Sequence, residues 1–294
     1  PGEPKGQGHQ LRAPVNKIIP LSVVDGPGNR TSIFLQKCNI ACAYCHNPET
    51  QRMCIGCGIC VDKCPVQALT LKKGAGEGRR GAVIWDETKC IQCDNCIRVC
   101  PYSASPKIRY MEASEVFEQV SKNIPFIRGI TVSGGECTLY PEFLTELFEL
   151  VKTKGLTCYI DSNGCTDFSR YPELMKYCDK VMLDVKAWDK EVFYRLTQGE
   201  NDIVKKNLVY LAEEHKLEEV RIVCLEPEVD VEATIRGIAE NVEKYLNQFT
   251  LKLIAFRNHG VSTKLKDRET PSYEKMREWE RIAGLCGFSN IRIV

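Results

Sequence analysis

The sequence predicts an α/β fold: a curved, partial (β/α)6 barrel of parallel strands, interrupted once by a cysteine-rich insertion. Three observations carry that reading. Six short β-rich runs alternate with longer segments whose apolar residues recur at helical spacing. Polar, charged or glycine-rich segments follow five of the runs at the same relative place, where parallel α/β folds collect their reactive groups. Finally, eleven of the 17 cysteines crowd between Cys38 and Cys100.

The runs are 31–36 (TSIFLQ), 129–133 (GITVS), 156–160 (LTCYI), 180–184 (KVMLD), 219–224 (EVRIVC) and 250–255 (TLKLIA). A last run, 291–294 (IRIV), is expected to add an edge strand. Among the intervening segments, 141–154 puts Phe143, Leu144, Leu147, Phe148 and Val151 on one helix face. Such alternation implies a parallel sheet with helices outside it. Six repeats are too few to close an eight-stranded barrel, so one side stays open to a large substrate. Residues 1–14, rich in Pro and Gly, read as a flexible tail. Residues 15–50 and 109–294 form the barrel and residues 51–108 the insertion.

A chain of 294 residues suits one large domain with a small insertion. A hydrophobic content of 43% with a net charge of +1 points to no nucleic-acid partner. No apolar run approaches the roughly 18 residues of a membrane span, and no charged-then-apolar secretory pattern opens the chain. The expectation is a cytoplasmic, monomeric protein without a membrane partner. An odd cysteine count without an export signal argues against a disulfide framework. Clustering at two-residue intervals argues for metal.

Two cysteine groups share one spacing, "CIGCGICVDKCP" (Cys54, Cys57, Cys60, Cys64) and "CIQCDNCIRVCP" (Cys90, Cys93, Cys96, Cys100). Each is C-x2-C-x2-C-x3-C-P, the run of two-cluster bacterial ferredoxins, in which the fourth cysteine crosses to the other cluster. Resemblance to those ferredoxins implies a ferredoxin-like 2[4Fe-4S] domain. One cluster would take Cys54, Cys57, Cys60 and Cys100, the other Cys90, Cys93, Cys96 and Cys64. A third group, Cys38, Cys42 and Cys45, forms C-x3-C-x2-C with no fourth cysteine in its pattern. A cluster held by three thiolates keeps one iron open to a ligand, as catalytic metal sites do.

With Tyr44 ahead of Cys45, the third group resembles the signature of the radical S-adenosylmethionine (SAM) superfamily. The flanking "VDGPGNRTSIFLQKC" and "HNPE" narrow the match to the activating enzymes of glycyl radical enzymes, of the pyruvate formate-lyase-activating type. An insertion directly after the signature resembles the longer members of that group, and most closely those serving partners with no assigned substrate. The resemblance runs from about Lys17 to the C-terminus. It implies a radical SAM core, three [4Fe-4S] clusters and SAM as cofactors, and oxygen sensitivity. It also implies a flavodoxin or ferredoxin electron donor and a glycyl radical enzyme as protein substrate. In the family the cluster's electron releases a 5′-deoxyadenosyl radical, which takes a hydrogen from a glycine Cα of the partner.

Carried over residue by residue, "SGGE" implies SAM contacts at Gly134, Gly135 and Glu136. Tyr44 would pack near the adenine. Asp161 and Asp184, with carbonyls at Ser162 and Met182, resemble a monovalent-cation site beside the SAM carboxylate. Helix N-caps are the plain alternative for the two aspartates. Lys186, two residues beyond Asp184, is expected to pair with a carboxylate, and Arg221 to point its fork at one inside the barrel. Asp25, Gly26, Gly28 and Arg30 resemble the stretch at the mouth where the partner's loop enters, and His259 in "RNHG" is a further substrate-side candidate. The family shows Pro-Gly where this chain has Glu226-Pro227-Glu228, which leaves that loop without an assigned part. Cys137, Cys158, Cys165, Cys178, Cys224 and Cys286 lack ligand spacing and read as small core residues. A radical SAM enzyme with a small-molecule substrate is the first rival reading. A non-enzymatic electron carrier is the second, and it leaves the three-cysteine group unexplained.

Overall fold

Apolar runs with few polar interruptions build the centre of the molecule, as parallel strands buried on both faces require. The structure, a computed structural model, describes residues 11–74, 81–258, 261 and 265–294. In chain order its strands are β1 (Arg12–Ser22), β2 (Arg30–Leu35), β3 (Leu69–Lys72), β4 (Ala82–Trp85), β5 (Arg109–Glu112), β6 (Gly129–Gly134), β7 (Thr157–Ser162), β8 (Lys180–Asp184), β9 (Leu217–Cys224), β10 (Thr250–Ala255) and β11 (Ile291–Ile293). Nine of them form one sheet in the order β11-β10-β9-β8-β7-β6-β2-β1-β5. From β2 to β11 every pairing is parallel. Strand β1 runs antiparallel to both its neighbours.

All seven expected runs are strands, with ends moved by at most two residues. The helices are α1 (Asn95–Arg98), α2 (Ala113–Ser121), α3 (Pro141–Lys152), α4 (Pro172–Tyr177), α5 (Lys190–Thr197), α6 (Asp202–Glu213), α7 (Val231–Asn241) and α8 (Tyr273–Leu285). On α3 the five predicted face residues are all buried in the main core. Helices α5, α7 and α8 are N-capped by Asp189, Asp230 and Ser272, each side chain accepting a backbone N–H. Asp161 and Asp184 instead lie in the last two residues of strands β7 and β8.

Strands β1 and β5 and the β3–β4 hairpin were not legible as runs. Pro14 and Pro20 interrupt β1, and it keeps its pairing with β2 only through register shifts after Val15 and Ile19. The expected tail therefore needs correction: β1 begins at Arg12, and Ala13 is fully buried. Residues 1–10 lie outside the described residues. Of the six cysteines read as core, Cys137, Cys158, Cys178 and Cys224 are buried, and Cys165 and Cys286 are half-buried.

Arg30 departs from its expected place at the mouth. Its side chain is 1% exposed and bolts three strands together. Nε donates to Thr131 Oγ1 (2.9 Å), Nη1 to Thr157 Oγ1 (3.0 Å), and Nη2 to the carbonyls of Ile130 (2.7 Å) and Thr157 (3.1 Å). The guanidinium also stacks 3.8 Å from the Tyr159 ring centroid. Four of its five N–H donors are used inside the sheet, and its burial withdraws the side chain from any partner. Arg30→Met should cost about 3 kcal/mol through the acceptors it strands, read as a lower urea midpoint. A loss under about 0.5 kcal/mol, the range of an ordinary surface change, would return Arg30 to the surface role.

Candidate active site

The loop after β2 carries Cys38, Cys42 and Cys45, and backbone bonds hold it from two sides. Lys37 N–H and Cys38 N–H donate to the carbonyls of Thr50 (2.8 Å) and Gln51 (2.9 Å). Ala41 and Ala43 donate to Thr197 (2.7 Å) and Leu196 (2.9 Å) at the end of α5. The glycine pair after β6 closes against the same loop. A Cβ on Gly134 would lie 2.1 Å from the Leu35 carbonyl oxygen, and one on Gly135 would lie 2.2 Å from that of Lys37 and 2.7 Å from that of Thr50. Those contacts are backbone and cannot yield cheaply. Gly135→Ala should therefore displace the cysteine loop and lower stability by more than about 2 kcal/mol. Iron bound at Cys38, Cys42 and Cys45 should be lost while iron in the insertion is kept, measured by iron content and EPR.

The three thiols face a cavity of about 250 Å3 at the C-terminal end of the parallel strands. Its walls include Tyr44, the Gly134-Gly135 backbone, Asp161 to Asn163, Asp184, Lys186 and Arg221. Burial pushes the Cys38 thiol up to about 11, with Glu136 adding to it, and the Cys42 thiol up to about 12 against the opposing Lys186. Thiolate there needs a metal to stabilise it. Tyr44 is buried, and its Oη finds no hydrogen-bond partner among the described residues. That orphaned polar atom beside a roomy polar cavity fits a ligand with polar edges.

Charge in the cavity is paired. Lys186 Nζ donates to Asp184 (2.7 Å) and lies 5.8 Å from the Tyr44 ring centroid. Arg221 donates to Asp161 (2.9 Å) and Glu219 (2.8 Å), and Ser133 Oγ donates to Asp161 (3.1 Å). Burial raises the Asp161 carboxyl, with Arg221 opposing. Burial also opposes ionisation of Asp184, yet Lys186 and Arg221 outweigh it and hold that carboxyl below the usual range. Each of the two carboxylates at adjacent strand ends thus has its own cation, Lys186 for Asp184 and Arg221 for Asp161.

One expected contact needs correction. Glu136 is not among the residues lining the cavity. Its carboxylate accepts from Thr138 N–H (3.1 Å) and Oγ1 (2.6 Å), Ser162 Oγ (2.9 Å) and Asn163 N–H (2.8 Å), and so acts as a brace. Met182, expected to offer its backbone carbonyl, sits mid-strand beside Asp161 and Glu219, and its sulfur accepts from Arg221 (2.9 Å). His259 lies outside the described residues.

His46, Arg221 and Ile254 line both this cavity and a groove of about 790 Å3 along the open side. The Asp25–Gly28 loop forms one bank, with Val23 and Val24 about three-quarters exposed at its rim. Asp25 is held there by Ser22 Oγ and Ser32 Oγ, both at 2.6 Å. In the unassigned loop, Glu226 pairs with Lys275 (3.8 Å), and Glu228 accepts from Arg268 Nε (3.0 Å).

Within the insertion, Cys54, Cys57, Cys60 and Cys100 line one small pocket. Cys64, Cys90, Cys93 and Cys96 line another. The chain thus gathers the crossed sets, and the thiols surround pockets without converging on a single ion position among the described residues. Sequence reasoning missed Gln51 and Asn163. Gln51 has no motif around it, and its Nε2 reaches the Cys42 carbonyl (3.1 Å). Asn163 lay inside the quoted "DSNG" but drew no role. Its amide reaches Asn39 Oδ1 (2.8 Å) and Cys38 Sγ (3.5 Å).

Comparison with known proteins agrees with this architecture. Models of a 4Fe-4S dicluster domain and a 4Fe-4S single cluster domain match residues 53–104 and 24–65. A radical SAM methyltransferase from Sphaerobacter thermophilus superposes with a TM-score of 0.54 at 12% identity, over 90% of this chain and 66% of that one. Fold and iron–sulfur modules together define an iron–sulfur protein built as a partial (β/α)6 barrel with an inserted ferredoxin-like domain. A protein of Haemophilus influenzae named as a glycyl-radical enzyme activating enzyme is 30% identical over 96% of this chain and 97% of its own length. The indoleacetate decarboxylase activating enzyme of Tractidigestivibacter scatoligenes is 32% identical over 71% and 72%. The choline trimethylamine-lyase activating enzyme of Oleidesulfovibrio alaskensis is 30% identical over 86% of each chain. This chain belongs to the family of glycyl-radical-enzyme activating enzymes.

Proposed function

We propose that this chain cleaves S-adenosylmethionine reductively and uses the resulting 5′-deoxyadenosyl radical to take a Cα hydrogen from a glycine of a partner glycyl radical enzyme. The observation that carries the reading is the adjacency of two spaces that share His46, Arg221 and Ile254 as lining. A three-thiol cavity with a charged wall lies next to a groove large enough for a protein loop. When bound at Cys38, Cys42 and Cys45, a [4Fe-4S] cluster supplies one electron and an open iron position for SAM.

The chain's own residues orient and exclude. The Gly134-Gly135 backbone, Ser162 and the paired charges Asp161, Asp184, Lys186 and Arg221 surround the amino-acid end of SAM, with a monovalent cation as a further counter-charge. Tyr44 flanks the adenine. Asp25, Gly26 and Gly28 guide the partner's glycine loop, whose reacting carbon must come near contact while water is kept out. Residues 51–108 form the separate domain whose two clusters receive electrons from a flavodoxin or ferredoxin. The protein works in the cytoplasm as a monomer.

The deciding experiment is anaerobic. The reconstituted, reduced protein is mixed with SAM and a candidate glycyl radical enzyme, and EPR is recorded alongside a 5′-deoxyadenosine assay. A glycyl-radical doublet rising with deoxyadenosine supports the reading. Deoxyadenosine with a modified metabolite and no doublet would favour a small-molecule substrate, and no SAM binding would revive the electron carrier. Replacing Cys93 and Cys96 by Ser should slow activation by the protein donor and spare activation by a small chemical reductant. Equal losses with both would make the insertion structural.

A further inference from the structure

We propose that Asn163 is a positioning residue that sets the redox potential of the cluster held by Cys38, through an N–H···S hydrogen bond from its side-chain amide. The inference rests on the assignment of Cys38 as a cluster ligand made above, and it adds a donor that no motif reading supplies.

Asn163 stands just past the end of β7, is 6% exposed and lines the three-thiol cavity. Both ends of its amide are committed. Oδ1 accepts the backbone N–H of Cys165 (2.9 Å), so Nδ2 must face the other way. There it donates to Asn39 Oδ1 (2.8 Å) and Cys38 Sγ (3.5 Å). The residue is also fixed from behind, because its backbone N–H donates to the buried Glu136 carboxylate (2.8 Å). The same carboxylate holds Ser162 Oγ (2.9 Å), and Ser162 Oγ in turn accepts from Gly164 N–H (3.0 Å). Glu136, displaced from ligand contact, thus acquires a use. It locks the turn that aims Asn163 at the sulfur.

A sulfur ligated to iron is an acceptor only, and an N–H pointed at it stabilises the more negative, reduced cluster over the oxidised one. Hydrogen bonds to cluster sulfurs are among the factors that set such potentials. This donor comes from the turn just past β7, 125 residues away in sequence. The turn that follows Asp161 and Ser162 therefore also touches the cluster's own ligand.

The test is an EPR-monitored redox titration of the fully loaded protein without SAM or partner, which makes it independent of the activation chemistry. Asn163→Leu keeps the volume and removes the donor. The expected result is a lower midpoint potential for the barrel cluster, with both insertion clusters unmoved as internal controls. Exchangeable-deuteron coupling at that cluster in D2O should also weaken. An unchanged potential at full iron content overturns the proposal. If Asn163→Leu fails to hold iron, Asn163→Asp, of the same shape, is read instead, with a larger drop expected because it adds negative charge. Loss of barrel-cluster iron from both variants, with insertion clusters intact, overturns the proposal too and makes Asn163 a structural support. Wild-type iron near about 8 per chain, where three cubanes give about 12, would instead sink the ligand assignment beneath it.

Discussion

Arg221→Met should unfold at much lower denaturant than the wild type, by about 3–5 kcal/mol, because it breaks a buried ion pair from one side. The Arg221 side chain is 11% exposed and serves Asp161 and Glu219 together. Glu219 keeps a second cation, Lys252, at 3.3 Å. Among the described residues Asp161 then keeps the Ser133 hydroxyl as its side-chain partner, so the loss concentrates there. Burial already raises the Asp161 carboxyl, and removing Arg221 raises it further. A raised folded-state carboxyl binds its proton more tightly than the unfolded chain does, so stability is lost as pH rises through it. The deficit of the variant should accordingly shrink as pH falls. Anaerobic urea titrations at two pH values read this, and a pH-independent deficit would mean that packing, not charge, is lost. SAM cleavage should fall by about a hundredfold or more, the equivalent of about 2.7 kcal/mol of transition-state stabilisation. Arg221→Lys restores charge without the fork and should recover stability better than cleavage.

Iron removal should melt the insertion and leave the barrel standing. Between residues 53 and 104 the buried apolar residues among the described ones are Cys60, Ala68, Leu69 and Ala104, and none joins the main hydrophobic core. Four small contributions cannot order a segment of that length, so the folding free energy must come from ligation. The barrel rests on a continuous core from Ala13 to Phe288. Limited proteolysis after anaerobic chelation should cut inside 53–104 at least about tenfold faster, a shift of about 1.4 kcal/mol in local opening, while barrel fragments persist. Equal resistance before and after chelation would show that the hairpin and its loops fold without metal.

Much of the barrel was legible because its signals are local. Each parallel strand is an apolar run, and the face of α3 is a simple period, so both follow from sequence spacing. The cysteine groups were legible for the same reason, while their crossed sets came from the resemblance to two-cluster ferredoxins. Partnership across the sheet was not. Arg30 stands in a stretch that resembles a mouth motif, yet four acceptors on β6 and β7 draw it inward, and no spacing encodes them. Glu136 follows two glycines that do reach the cavity, but its own bonds run to Thr138, Ser162 and Asn163. Pro14 and Pro20 hid β1, whose pairing depends on a neighbour about ninety residues further on.

The pairing of β1 has a bearing on chain entropy. Val15 faces Leu35 on one side and Arg109 on the other. The chain therefore leaves the sheet and returns to it about two strand spacings apart, roughly 10 Å. Closing a loop across so short a gap costs more with length only logarithmically, about 0.6 kcal/mol for each doubling. Halving the excursion, or doubling it, would scarcely alter the stability of the sheet that anchors it. The length of the insertion is thus set by what its clusters do, and the barrel is indifferent to it.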